Sequence, residues 1–229
     1  MAYTTETIRK VTRSLNDAIA HYDQIAVGEI PMCISDGNKK IGRVMNVSLP
    51  PIISCGNCSE CQKLCYDIKA CNQYPNTVID ARARNFSILK RNREEYFERI
   101  ERAIARRRKN LYFRWHVAGD IMDADYLDHM NWIAEQFPEF IFWTYTKMYG
   151  IVNDYCGDRG REMIADNLSI MFSEWRGMPM ENPHGFPEFR VVFKDEVEPV
   201  GFYCPGNCDV CKKVNRGCIV GETTYCREH

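Results

Sequence analysis

The sequence predicts an α/β fold: a parallel sheet in the form of a partial, open TIM-like barrel or a plain sheet, flanked by helices, with cysteine-rich loops toward both ends. Three observations predict it. Apolar, β-branched and aromatic runs alternate with amphipathic stretches through the middle of the chain, the connections between them are short, and the cysteines gather in two groups on either side of that middle.

Taken in order, Thr5 to about Tyr22 places Ile8, Val11, Leu15, Ala18 and Ile19 at a spacing close to 3.6, so it reads as an amphipathic helix. Ile41 to Leu49 reads as a strand, stopped by Pro50-Pro51 and feeding into the first cysteine group. After Pro75, Asn76 is placed to cap a helix through about Lys90, and Asn92 with Glu95 resembles a capping box for a helix through about Arg108. The middle then alternates. Leu111 to Val117 is a strand, Ala124 to Gln136 a helix, Phe140 to Thr146 a strand, Ile151 to Cys156 a short helix, and Leu168 to Ser173 a strand. A last strand, Phe189 to Phe193, follows the Pro/Gly-rich MPMENPHGFP. These are too few strands to close an eight-stranded barrel but enough for an open one. The expectation is one domain over residues 1–229, with metal-binding segments at 55–71 and 204–226.

Composition narrows the class. The chain of 229 residues has 30 Lys+Arg against 31 Asp+Glu, 45% apolar residues and 12 cysteines, and at this length a core can form without disulfide staples. The opening MAYTTETIRKVTRSLNDA is polar and does not read as a secretory signal, and no apolar run approaches a membrane span. A soluble protein of the cytoplasm is expected, with no membrane partner. In that reducing compartment, closely spaced cysteines more often hold metal than pair with one another.

The first group, CGNCSECQKLC, spaces Cys55, Cys58, Cys61 and Cys65 as C-x2-C-x2-C-x3-C, the spacing bacterial ferredoxins use for cubane clusters, although Tyr66 replaces the proline that follows there. The second, CPGNCDVCKKVNRGC, spaces Cys204, Cys208, Cys211 and Cys218 as C-x3-C-x2-C-x6-C. Both contain Gly-Asn-Cys-x-x-Cys, and a Gly-Asn pair can curl the backbone around an ion. These eight thiols are the expected ligands of one or two iron–sulfur clusters, of the 4Fe–4S type, with zinc as the alternative. Cys71 and Cys226 are satellites, Cys33 and Cys156 read as buried packing residues, and His229 is either a nitrogen ligand or a frayed end.

In parallel α/β architectures chemistry sits at the carboxyl ends of the strands. The residues there are His116, Asp120 and Asp123, then Tyr145, Thr146 and Lys147, then Ser173, Glu174, Trp175 and Arg176. From these, His116, Asp120, Lys147 and Glu174 are the candidate catalytic group beside a metal. Each has a plainer alternative: His116 as a hydrogen-bonded core histidine, Lys147 as a solvated strand-end lysine, Asp120 as a helix N-cap. Trp115, Trp143 and Trp175 read as core. Separately, Arg82 to Lys109 carries 11 Lys+Arg and 4 Glu, which is either a solvated helix surface or a nucleic-acid-binding face.

The segments CGNCSECQKLCY, YPNTVIDARARN, FRWHVAGDI, FWTYTK, LSIMFSEW and CPGNCDVC together resemble the gene product 88 family of phages and plasmids, from about Val44 to His229. That resemblance implies a phage or plasmid context, and so the host cell cytoplasm, and agrees with the cluster assignment, but it implies no particular reaction. Strand order and cluster placement also resemble, more distantly, the partial-barrel radical S-adenosylmethionine proteins. The spacing of Cys204, Cys208 and Cys211 is the one those enzymes use for their catalytic cluster, and its place late in the chain compares better with an auxiliary cluster. This resemblance brings in S-adenosylmethionine as a cofactor, while the iron–sulfur reading itself leads to the expectation of redox or radical-type chemistry with an electron donor or small-molecule substrate as partner. The competing expectation is a non-enzymatic module, stapled by zinc or iron–sulfur, that binds nucleic acid or protein.

Overall fold

The structure, a computed structural model, describes residues 2–228, so His229, the candidate nitrogen ligand, lies outside the described residues. Two compact units are present: the first comprises the chain up to Ile34, Val47–Arg107 and His116–Asp120, and the second Ser35–Asn46, Arg108–Trp115 and the chain from Ile121 onward.

The first unit is helical. Helix α1 (Thr5–Tyr22) starts where the Thr4 side chain accepts from the Thr7 N–H at 3.2 Å, and it buries Val11, Leu15 and Ile19 on one face. Helix α2 (Tyr66–Gln73), which the cysteine-rich sequence had not suggested, follows Cys65 directly and adds Ile68 and Cys71 to the same core. The helix expected from Asn76 instead begins at Asp80, as α3 (Asp80–Arg91). Pro75 opens a single π-helical turn, Pro75–Ile79, in which Tyr74 O takes both the Thr77 and Val78 N–H groups, so Asn76 lies inside the turn and caps nothing. Helix α4 (Arg93–Ala105) does begin at the expected cap, with Asn92 Oδ1 accepting from the Glu95 N–H at 3.1 Å.

The second unit carries the sheet. Strands β1 (Met45–Val47), β2 (Tyr112–Trp115), β3 (Ile141–Thr146), β4 (Leu168–Glu174), β5 (Glu188–Val192), β6 (Phe202–Tyr203) and β7 (Thr224–Arg227) form one open parallel sheet in the order β1-β2-β3-β4-β5-β7-β6. The expected central strands are all present; β6 and β7, in the cysteine-rich tail, extend the sheet beyond them. Register pairs Arg114 with Trp143, Trp143 with Ser169 and Tyr145 with Met171, so alternation puts Tyr112, Arg114, Trp143 and Tyr145 on one face and Phe113, Trp115 and Phe142 on the other. Helix α5 (Ala124–Gln136) covers the second of these faces, where Tyr126 meets Trp115 edge-on at 6.5 Å. Its N-cap is Asp123, which accepts from the Tyr126 N–H at 2.8 Å, and this removes the capping role considered for Asp120. Helix α6 (Tyr149–Cys156) begins two residues earlier than expected, and helix α7 (Cys208–Val214) starts on the second cysteine group. Among the described residues no helix is long and apolar enough to cross a membrane.

Candidate metal centres

In the first unit the segment leading to the cysteines is fixed before the thiols are reached. The Leu49 N–H donates to Ala118 O at 2.8 Å, the Ala118 N–H donates to Ser48 Oγ at 3.3 Å, and Ser54 Oγ donates to Pro50 O at 2.7 Å. Gly119, at φ 91°, closes this contact: a Cβ there would stand 2.6 Å from Leu49 Cβ and 2.8 Å from Ser54 Oγ. Beyond it, Cys58 shares hydrogen bonds with Cys55 and with Cys61, and these, with burial, push its thiol far above the ordinary range. The charge of Cys55 is felt at Cys65. Burial raises its thiol to about 12, while the Ile68 and Asp67 N–H groups at the start of α2 pull it back.

Cys71 is fully buried in the core of Val11, Leu15, Ile68 and Ile79, and burial followed by the Asp67 carboxylate raises its thiol to about 12. It is a packing residue as much as a satellite ligand. Of the two isolated cysteines, Cys156 is buried, as expected, and Cys33 is partly exposed with its backbone clasped by the Asn85 amide at 2.8 and 2.9 Å.

The second set lies over the Tyr112–Arg114–Trp143–Tyr145 face of the sheet. Gly206, at φ 75°, turns the chain, and Asn207 accepts from the Asp209 N–H at 2.8 Å to start α7 on Cys208. The loop of residues 38–43 holds that start: Lys40 O accepts the Cys208 N–H at 3.2 Å, Lys39 O accepts from the Asn207 amide at 3.3 Å, and Arg43 O accepts from Lys212 Nζ at 3.3 Å. Lys212 also sits 5.2 Å over the Tyr112 ring, which seats α7 on the sheet.

Within this set Cys204 is the common neighbour, its charge being felt at Cys208, Cys211, Cys218 and Cys226. Burial raises Cys211 to about 12 and Cys218 to about 11, and the Tyr145 hydroxyl, hydrogen-bonded to Cys218, works against the latter. Burial raises Cys208 as well, and the Arg114 guanidinium, stacked 4.6 Å over the Tyr145 ring, works against burial at both Cys208 and Cys218. Tyr145 itself is held protonated, first by burial and then by Cys218. Sequence spacing identified the cysteines, and Tyr145 stood among the strand-end candidates without a stated role; Arg114 and the link from Tyr145 to Cys218 are the structure's addition.

All-thiol donor sets of this kind suit zinc and iron–sulfur clusters alike. Among the described residues no group of three or more His, Cys, Asp and Glu side chains stands at single-ion spacing, which for thiolates around zinc is about 3.8 Å between sulfurs.

The four candidate catalytic residues divide between the units. His116 and Asp120 are buried in the first, His116 with a left-handed backbone at φ 54°. Lys147 and Glu174 belong to the second, where Lys147 Nζ donates to Ser173 Oγ at 2.9 Å and lies 5.9 Å from the Trp175 ring. Glu174 faces Arg190 at 3.4 Å, and burial raises its carboxyl despite that partner.

The basic stretch is spent largely on its own unit. Arg82 pairs with Asp67, Arg84 with Asp80 and Lys90 with Asp23; Arg91 donates to Tyr22 O and Ile25 O, and Arg99 to Glu95, Ile30 O and Val27 O. These contacts tie the chain after α1 to α3 and α4. Arg106, Arg108 and Lys109 are exposed beyond α4.

Among known families, the model described as gene product 88 matches residues 26–199, which include Cys55 to Cys71 and stop short of Cys204. No curated protein and no solved structure matches the chain.

Proposed function

The chain belongs to the gene product 88 family, and since that description names no reaction we propose, from its own side chains, that it is an iron–sulfur protein with a cluster at each cysteine set and a redox role. The observation that supports this is the mutual influence of the four thiols: the charge of Cys204 is felt at Cys208, Cys211 and Cys218, and that of the Arg114 guanidinium at Cys208 and Cys218. Four thiolates bring more negative charge than an iron–sulfide core offsets, and a partly buried centre then needs a cation nearby. Arg114 supplies it. The first set adds the cubane-type spacing and the mutual contacts of Cys55, Cys58 and Cys61. When bound, the clusters would supply one-electron chemistry, and the thiols named here would hold them.

A second reading applies to the first set alone. Cys58 bonds to Cys55 and Cys61, while Cys65 takes its hydrogen bonds from the Ile68 and Asp67 N–H groups at the start of α2. A centre held by that trio leaves one iron open to a small molecule, the arrangement that radical-type chemistry with S-adenosylmethionine requires.

Anaerobic purification tests the proposal. Brown protein with iron matched by sulfide is expected, and the double variants C55S/C58S and C204S/C208S should each lose about half of the iron. Zinc without sulfide, or full iron retention in both variants, overturns it. Binding of S-adenosylmethionine by the C204S/C208S variant and its loss in C55S/C58S would support the second reading.

A further inference from the structure

Resting on the iron–sulfur reading of the second set, we propose that Arg114 and Tyr145 set the reduction potential of that centre, acting as positioning residues beneath its thiolates. The two are built as one device. Arg114 on β2 and Tyr145 on β3 share a sheet face, and the guanidinium lies 4.6 Å from the centroid of the phenol ring. That stacking holds the ring where its hydroxyl donates to Cys218 Sγ, and it holds the cation where Cys208 and Cys218 both feel it. Phe189 of β5 packs edge-to-face against the same ring at 4.9 Å and restricts its movement. Rigid packing on three strands is what a tuning group needs, because the donor must stay in place while the charge on the sulfur changes.

The direction of the effect follows from charge. Reduction adds one electron to the centre and makes its thiolates better acceptors and more strongly negative. A hydrogen bond into a ligand sulfur and a cation beneath it therefore favour the reduced state and raise the potential. Neither residue needs to touch iron or to exchange a proton for this to hold. The first set has a buried arginine as well, but Asp67 meets the Arg82 charge there with two contacts, at 3.0 and 3.2 Å.

The test is a redox titration of the full chain, followed by electron paramagnetic resonance, on wild type, Y145F, R114M and R114K. One reduction step should move to lower potential in Y145F by at least threefold in the reduction equilibrium. In R114M it should move by about tenfold, equivalent to about 59 mV for one electron. R114K should recover most of that loss, because it keeps the charge, and any second step should stay in place. A potential does not depend on occupancy, so a variant that loads less iron still reports. Unchanged potentials in Y145F and R114M, with iron and sulfide present, overturn this proposal and leave the iron–sulfur reading standing. Wild-type protein without iron matched by sulfide overturns that reading itself.

Discussion

Asp67 and Arg82 form a two-point ion pair inside the helical unit, Nη2 to Oδ1 at 3.0 Å and Nε to Oδ2 at 3.2 Å, with the carboxylate side chain 3% exposed. Cys71 Sγ lies 4.0 Å from the same carboxylate. Asp67 is in the first turn of α2 and Arg82 in the first turn of α3, so the pair locks together the two helices that follow the first cysteine set. Removing one partner leaves the other charge buried. Arg82→Met is expected to destabilise the protein by about 3–5 kcal/mol, read as a lower midpoint in denaturant. The double variant with Asp67→Asn should recover part of that loss, and equal effects of single and double variants would contradict the pairing.

Gly119 predicts a sharp steric effect. Gly119→Ala must accommodate a Cβ at 2.6 Å from Leu49 Cβ with a backbone at φ 91°, and should cost about 2–4 kcal/mol. Gly150, inside α6, has an ordinary backbone and a Cβ there would meet nothing within 4 Å, so Gly150→Ala serves as the control and should leave stability unchanged or raise it by up to about 1 kcal/mol. Thermal melts of the two variants side by side decide the matter.

Arg99 predicts a dependence on pH. Its guanidinium holds Ile30 O and Val27 O as well as the Glu95 carboxylate, and Arg99→Ala should cost about 2–3 kcal/mol near neutrality. The hydrogen bond from Arg99 keeps the Glu95 carboxyl below its usual range. A depressed carboxyl contributes stability above its unfolded value and loses it as pH falls through the folded one. The gap between wild type and variant should therefore narrow between about pH 5 and pH 3 in denaturant titrations. A constant gap would mean that the two carbonyl contacts carry the whole effect. Replacing the exposed Arg106 with Gln should leave stability within about 0.5 kcal/mol.

If the proposed clusters are present, metal removal should act locally. The start of α7 is held by the Cys208 N–H to Lys40 O bond, the Asn207 contact and the cysteines themselves, and Val210 and Val214 of that helix are exposed. Chelation is expected to bring fast hydrogen exchange to the Cys208 and Cys211 amides while those of β3 and β4 stay protected. Uniform loss of protection would show instead that the tail and the sheet melt together.

The sheet's middle was legible because its strands are long apolar runs: FIFWTYT and LSIMFS became β3 and β4 within a residue or two of the expected ends, and Ala124 to Gln136 became α5. β6 and β7 were not legible, since FY and TYCR have neither the length nor the alternation of a strand and pair only because the tail folds back onto β5. The cysteine groups were visible from spacing. Their surroundings were not: nothing local in FRWHV marks Arg114 as the cation beneath a thiol cluster, and nothing in the basic run says that Arg82 and Arg99 face inward. Those roles come from contacts between residues far apart in the chain, which a pattern of neighbours does not encode.

The bond from the Cys208 N–H to Lys40 O joins positions 168 residues apart, and so bears on the order in which the protein can be completed. During synthesis the residues of the helical unit, with Cys55 to Cys65, leave the ribosome well before Cys204. A cluster could be installed there on a nascent chain. The loop of residues 38–43 must wait, its carbonyls turned to water, until the tail arrives to claim them. On the proposed iron–sulfur reading, supply of iron and sulfide to the two sites would be separated in time, and a shortage during translation would fall on the later one.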